Sequence, residues 1–132
     1  MTQVLVVDDE PVVRQVLSRW LEMWGYSVGE AGTAIEALEL MMTKPASIVL
    51  CDIKMPGHDG LWLVDRLHAR WPATAIIMAT CVDDIQTVTR SRRAGVVDYV
   101  SKPFGRELLW QAIQRAETAL RTSKPVQRSE HP

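Results

Sequence analysis

The chain has almost no net charge: 15 Lys and Arg face 16 Asp and Glu, a balance of -1 at pH 7. Such a chain has no general pull on nucleic acid or on an acidic membrane, so neither is expected to bind it directly. Cysteine is scarce. Cys51 and Cys81 both sit among apolar neighbours, which argues against a disulfide framework and for a reducing, cytoplasmic setting. No apolar run approaches the ~20 residues of a membrane helix. The opening MTQVLVVDDE has acids directly behind its short apolar run and no basic segment ahead of it, so no signal peptide is expected. Also missing is the G-x-G-x-x-G fingerprint of dinucleotide-binding folds; DDEPVV stands where it would be needed. Internal repeats and low-complexity stretches are absent as well.

What the chain does have is alternation. At 132 residues it is long enough for one domain with a real core and too short for two ordinary ones. The organising stretch is residues 47–60, SIVLCDIKMPGHDG. Its apolar run is too short for a helix and rich in β-branched residues, as in a parallel strand buried on both faces. It stops at one carboxylate, Asp52, and Met55-Pro56-Gly57 then turns the chain. Similar short strands are predicted at 4–7, 26–30, 75–79 and 96–100. Amphipathic helices are predicted between them and after them. The first starts at Pro11, suited to a first helical turn, and buries Val13, Leu17, Trp20, Leu21 and Trp24. The second, 34–43, opens with Thr33 and Glu36 at capping-box spacing. The third spans 61–71, the fourth 83–94, and the fifth 104–120 with Leu108, Leu109, Ala112, Ile113, Ala116 and Leu120 as its stripe. Residues 1–121 are therefore read as one α/β domain. Residues 122–132, polar and with two prolines, are read as a tail or a truncated linker. Five strand–helix units imply a parallel sheet with right-handed crossovers and helices on both faces.

Four of the five strands end in a side chain suited to chemistry: Asp8-Asp9, Asp52, Thr80 and Lys102. A parallel sheet puts all strand C-termini on one edge, where open α/β sheets bind ligands. Three carboxylates gathered there repel one another unless a cation sits among them. Oxygen ligands without thiolate or imidazole suit Mg²⁺ or Mn²⁺. With a lysine and a hydroxyl added, the set fits phosphoryl transfer to a carboxylate. Each residue alone has an ordinary alternative: strand-ending acids cap helices, and lysines decorate surfaces. The combination is what carries weight.

The order and spacing of VVDDEP, DIKMPGHDG, Thr80 and DYVSKPF resemble the receiver domain of bacterial two-component response regulators over about residues 3–121. The resemblance implies a flavodoxin-like sheet of strand order 2-1-3-4-5. It implies Asp52 as phosphoacceptor, Asp9 as a direct Mg²⁺ ligand, Asp8 as a ligand through water, and the backbone carbonyl of Lys54 as a further ligand. Thr80 and Lys102 would bind phosphoryl oxygens, Tyr99 would be the switch aromatic, and the Lys102–Pro103 bond would be cis. A sensor histidine kinase, a phosphotransfer protein or a small phosphodonor would supply the phosphoryl group. The response would alter the surface of the fourth helix, fifth strand and fifth helix and so control a partner or output domain. The chain departs from the usual pattern at Cys81, where alanine or glycine is common, and a bulky Val82 follows in the loop with Asp83.

The remaining candidates concern contacts. Trp62 and Trp110 fall off their helices' stripes, and exposed aromatics favour interfaces. Trp110 with Arg90, Arg92 and Arg93 is a candidate partner or homodimer face, set against a solvated basic surface. Trp20, Trp24 and Trp71 are expected in or beside the core, His58 and His68 in solvent, and Cys51 and Cys81 as buried structural thiols rather than a redox pair. Two functions compete: a phosphorylation switch that is no conventional enzyme, and a receiver-fold binding module that is never phosphorylated. The module would call for a lost acid, threonine or lysine, and none is lost. A haloacid-type hydrolase would want an acid at position 54, where lysine stands. A stand-alone receiver and the first piece of a longer regulator both fit the chain's end.

Overall fold

The computed structural model describes residues 2–81 and 94–129, with side chains to residue 122. Its elements are β1 (Gln3–Val7), α1 (Pro11–Met23), β2 (Ser27–Ala31), α2 (Ala34–Thr43), β3 (Ile48–Asp52), α3 (Gly60–Arg70), β4 (Ala75–Cys81), β5 (Val96–Lys102) and a C-terminal helix (Arg106–Ser129). The five strands form one parallel sheet in the order β2-β1-β3-β4-β5. The loop residue Val82 and the expected fourth helix from Asp83 through Arg90, Arg92 and Arg93 lie outside the described residues.

The continuous apolar runs make sense because both faces of the sheet are covered. Successive side chains of a strand point to opposite faces. On one face Leu5, Val7, Val49, Cys51, Ile76 and Met78 meet Ala37 and Met41 of α2 and Leu63, Val64 and Leu67 of α3. On the other, Val4, Val6, Ile48, Leu50, Ile77 and Ala79 meet Leu17 and Leu21 of α1 and Leu109, Ala112, Ile113 and Ala116 of the C-terminal helix. Leu108, expected in that last stripe, is exposed: the buried set repeats at three- and four-residue steps from Leu109, and Leu108 falls one position outside it.

Local chemistry starts the helices. Thr33 Oγ1 accepts the Glu36 N–H at 3.1 Å, while the Glu36 carboxylate reaches back to the Gly32 N–H rather than to the cap residue itself. Asp59 Oδ1 accepts the Trp62 N–H at 2.9 Å, so α3 begins at Gly60 rather than Leu61. Helical backbone continues past Leu120 to Ser129; Leu120 marks the end of the apolar stripe, not of the helix.

Several side chains sit elsewhere than expected. His68 is half-buried, with Nδ1 lacking a partner and packed where a Cβ on Gly95 would fall. Trp62 is held between the His58 ring, stacked at 3.7 Å, and the Arg66 guanidinium at 4.1 Å. Trp110 is 43% exposed, but its ring meets Trp24 edge-on at 5.1 Å. That contact puts it on the α1 side of its helix, whereas Arg115, bonded to Asp98 at 2.7 Å, marks the β5 side. The expected interface joins Trp110 to Arg90, Arg92 and Arg93, which lie outside the described residues.

One glycine links fold to site. The Gly60 N–H donates to the Ile53 carbonyl at 2.7 Å. A Cβ there would run into the Asp52 carbonyl oxygen and lie 2.8 Å from Ile53 Cα, both backbone atoms that cannot swing away. Gly60→Ala is expected to destabilise the fold by about 1–3 kcal/mol in urea denaturation, the usual cost of overpacking.

Candidate phosphoryl-transfer site

Strand pairing brings the predicted residues to one edge. Asp52, the last residue of β3, pairs with Ala79 of β4; Thr80 then pairs with Ser101, and Cys81 with Lys102. On the other side Val7 pairs with Cys51, so Asp8 leaves β1 level with Asp52. Asp8 is 2% exposed, and Asp52 and Thr80 are buried with it.

The Lys102 ammonium donates to Asp8 Oδ2 at 2.7 Å and lies 3.4 Å from Asp52 Oδ2. Asp8 Oδ1 accepts the Glu10 N–H at 2.9 Å. The carboxylates of Asp8, Asp9 and Glu10 lie within 4.8 Å of one another. The Thr80 hydroxyl donates to the Cys81 carbonyl at 3.3 Å. Lys54 is exposed in the loop after β3. Tyr99 is half-buried on β5, level with Met78, two positions before Thr80. The Lys102–Pro103 peptide is cis.

Charge is out of balance here. Burial, followed by Asp8 and Asp9 against the opposing pull of Lys102, pushes the Asp52 carboxyl up to about 6. For Lys102 burial disfavours the charge, yet its bonds and attraction to Asp8 and Asp52 hold it above the usual lysine range. A second cation would relieve the acids, and the donors on offer are all hard oxygens, which fits a divalent ion such as Mg²⁺. The two cysteines are not joined to each other. Both are free; Cys51 is buried, and its thiol is pushed well up by burial and then by Asp52, while Cys81 is exposed, not buried as expected. Beside the site, an apolar groove of about 470 Å³ is lined by Val12, Val16 and Trp20 of α1 with Cys81, Lys102 and Phe104.

The sequence reading missed two residues here. Glu10 adds a third carboxylate to the acidic group, and its signal was the unbroken run of acids after β1. Arg14, which falls off the apolar stripe of α1, turns back to the Asp8 carbonyl; nothing in its helical spacing marked it.

The family model of the response regulator receiver domain matches residues 4–114. The chain belongs to this family. The receiver is 35% identical over 114 residues to the C4-dicarboxylate transport transcriptional regulatory protein DctD of Rhizobium meliloti, covering 86% of this chain and 25% of that protein. It is 31% identical over 113 residues to a cyclic di-GMP phosphodiesterase of Thermotoga maritima, covering 86% and 30%. A CheY-like receiver domain protein from Methanospirillum hungatei superposes with a TM-score of 0.83 at 28% identity, over 92% of this chain and 98% of that one. This receiver thus spans about a quarter to a half of the length of the curated relatives it matches. Among the described residues no helix is long and apolar enough to cross a membrane.

The raised Asp52 pKa has a sign that can be tested. Between about pH 4 and 6 the folded state holds a proton there that the unfolded chain has released, so this group's contribution to stability falls as pH rises through that window. In metal-free buffer Asp52→Asn is expected to be more stable than wild type by about 1–3 kcal/mol at pH 7.5. The difference should shrink towards zero at pH 4 in paired urea titrations.

Proposed function

We propose that this receiver is a phosphorylation switch with Asp52 as phosphoacceptor. The observation that carries the reading is the Asp52 carboxylate at the end of the central strand, 3.4 Å from the Lys102 ammonium and beside a separate acidic group. An Asp52 oxygen attacks phosphorus, the bond from phosphorus to the donor breaks, and the leaving group departs with the electron pair. With a pKa of about 6 the carboxylate is ionised at neutral pH and ready to attack. Lys102 and the Thr80 hydroxyl take phosphoryl oxygens. Asp9, Asp8 through water, Asp52 and the Lys54 carbonyl would hold Mg²⁺, which when bound neutralises charge on the phosphoryl oxygens.

Phosphorylation adds negative charge where one lysine already serves two carboxylates. Lys102 then divides its bonds differently, Thr80 turns from the Cys81 carbonyl towards the phosphoryl group, and Tyr99 moves inward. The surface of β5, the C-terminal helix and the expected fourth helix changes in consequence. Donors are a histidine kinase, a phosphotransfer protein or a small acyl phosphate; the apolar groove next to Lys102 supports a protein donor. The proposed setting is the cytoplasm. The domain is not a conventional enzyme: its chemistry is its own phosphorylation and hydrolysis. Residues 122–132 are proposed as a polar tail or as part of a linker, and the switch as controlling a partner, a second copy or an output domain.

Incubation with acetyl phosphate and Mg²⁺ is expected to add one phosphoryl mass by intact-mass spectrometry. The gain should vanish without Mg²⁺ and in Asp52→Asn, and Lys102→Gln should slow it on the order of 100-fold. No gain in wild type, together with tryptophan fluorescence that beryllofluoride leaves unchanged, would favour the unphosphorylated binding module.

A further inference from the structure

We propose that Arg14 is the positioning residue of the acidic loop, clamping it from the first turns of α1; this rests on the metal-dependent reading above. Arg14 Nη1 donates to the Asp8 backbone carbonyl at 2.7 Å. Its Nε lies 3.4 Å from Glu30 Oε1 on β2. Its own backbone N–H donates to the Glu10 carbonyl at 3.1 Å. One residue thus grips both ends of Asp8-Asp9-Glu10, and its other contact is the neighbouring strand.

The side chain is only 20% exposed, and room for it has been left. A Cβ on Gly32 would lie 3.0 Å from Nη1. The Gly32 N–H is in turn bonded to Glu36 at the start of α2, so the clamp is braced by the β2–α2 turn.

Geometry and charge pull in opposite directions here. A guanidinium close to a cation site repels the cation, so as a bare charge Arg14 would weaken binding. Glu30 offsets part of that charge. What the fork provides is direction: fixing the Asp8 peptide fixes how the Asp8 and Asp9 carboxylates leave the backbone. Groups that orient ligands without touching the metal typically change affinity 10- to 100-fold when lost. A lysine keeps the charge but not the planar fork that spans the Asp8 carbonyl and Glu30.

The opposed signs make the test decisive. Mg²⁺ affinity is read by tryptophan fluorescence titration, and loop order by hydrogen exchange of the Glu10 amide, bonded to Asp8 Oδ1, in metal-free protein. Arg14→Gln and Arg14→Lys are each expected to weaken Mg²⁺ binding about tenfold and to speed Glu10 exchange. Gly32→Ala, which alters no charge and touches no carboxylate of the site, is expected to shift both readouts the same way to a smaller extent. Tighter Mg²⁺ binding by Arg14→Gln, wild-type affinity in Arg14→Lys, or a lowered melting temperature with both readouts unmoved would overturn the clamp. Wild-type protein that binds no Mg²⁺ would overturn the reading of the site instead, and the Glu10 exchange rates would still decide whether the clamp exists.

Discussion

The Lys102 ammonium lies between two buried carboxylates, 2.7 Å from Asp8 and 3.4 Å from Asp52. Without it, two acids from adjacent strands would face each other across a region from which water is largely excluded, and one of them would take up a proton. With it, Asp52 is still pushed upward, so the lysine offsets the repulsion only in part. The remaining imbalance is what gives the site a use for further positive charge and makes it responsive to added negative charge.

Placing that lysine requires nearly the whole sheet. Lys102 closes β5 at the edge, β4 separates it from β3, and β3 separates β4 from the strand that delivers Asp8. The registers must hold across all of these pairs for the ammonium to reach. β1–β3 and β3–β4 hold theirs unbroken because these strands are buried on both faces, where a one-residue slip would exchange the two sets of side chains between different helices. β4–β5 shifts by one residue between Ile76 and Ile77 and from there brings Cys81 level with Lys102. Cores far from the chemistry, such as Met41 in the cluster shared with α3 or Leu21 in the one shared with the C-terminal helix, thus support a contact they do not touch. In the proposed switch, a change at Asp52 can pass outward through Thr80 because that same packing leaves few other groups free to move.

Much of the fold was legible in advance. Strands buried on both faces read as unbroken apolar runs, and carboxylates and lysine at their ends stood out against them. Asp8, Asp9, Asp52, Thr80 and Lys102 could be gathered on one edge from the parallel topology alone. The errors were local. Asp59 was not seen as the cap of α3, because a cap depends on the extended backbone that precedes the helix. Leu108 was assigned inward by spacing that is one residue too generous. His68 and Cys81 were misjudged because exposure at an element's end is set by what the neighbouring strand and turn place over it. Trp110 was read as off-stripe, and only the packing shows that its ring meets Trp24.

The sequence by itself determined the alternation of strands and helices, the parallel sheet, and which residue types arrive at its C-terminal edge. These follow from local chemistry: apolar periodicity, turn residues, and the abrupt end of each run. Only the tertiary structure decided who bonds to whom there. It gave Lys102 to Asp8 first and Asp52 second, added Glu10 to the acidic group, and turned Arg14 back onto the Asp8 carbonyl. Those choices depend on distances of a few ångströms between residues up to 94 positions apart, and no short-range pattern encodes them.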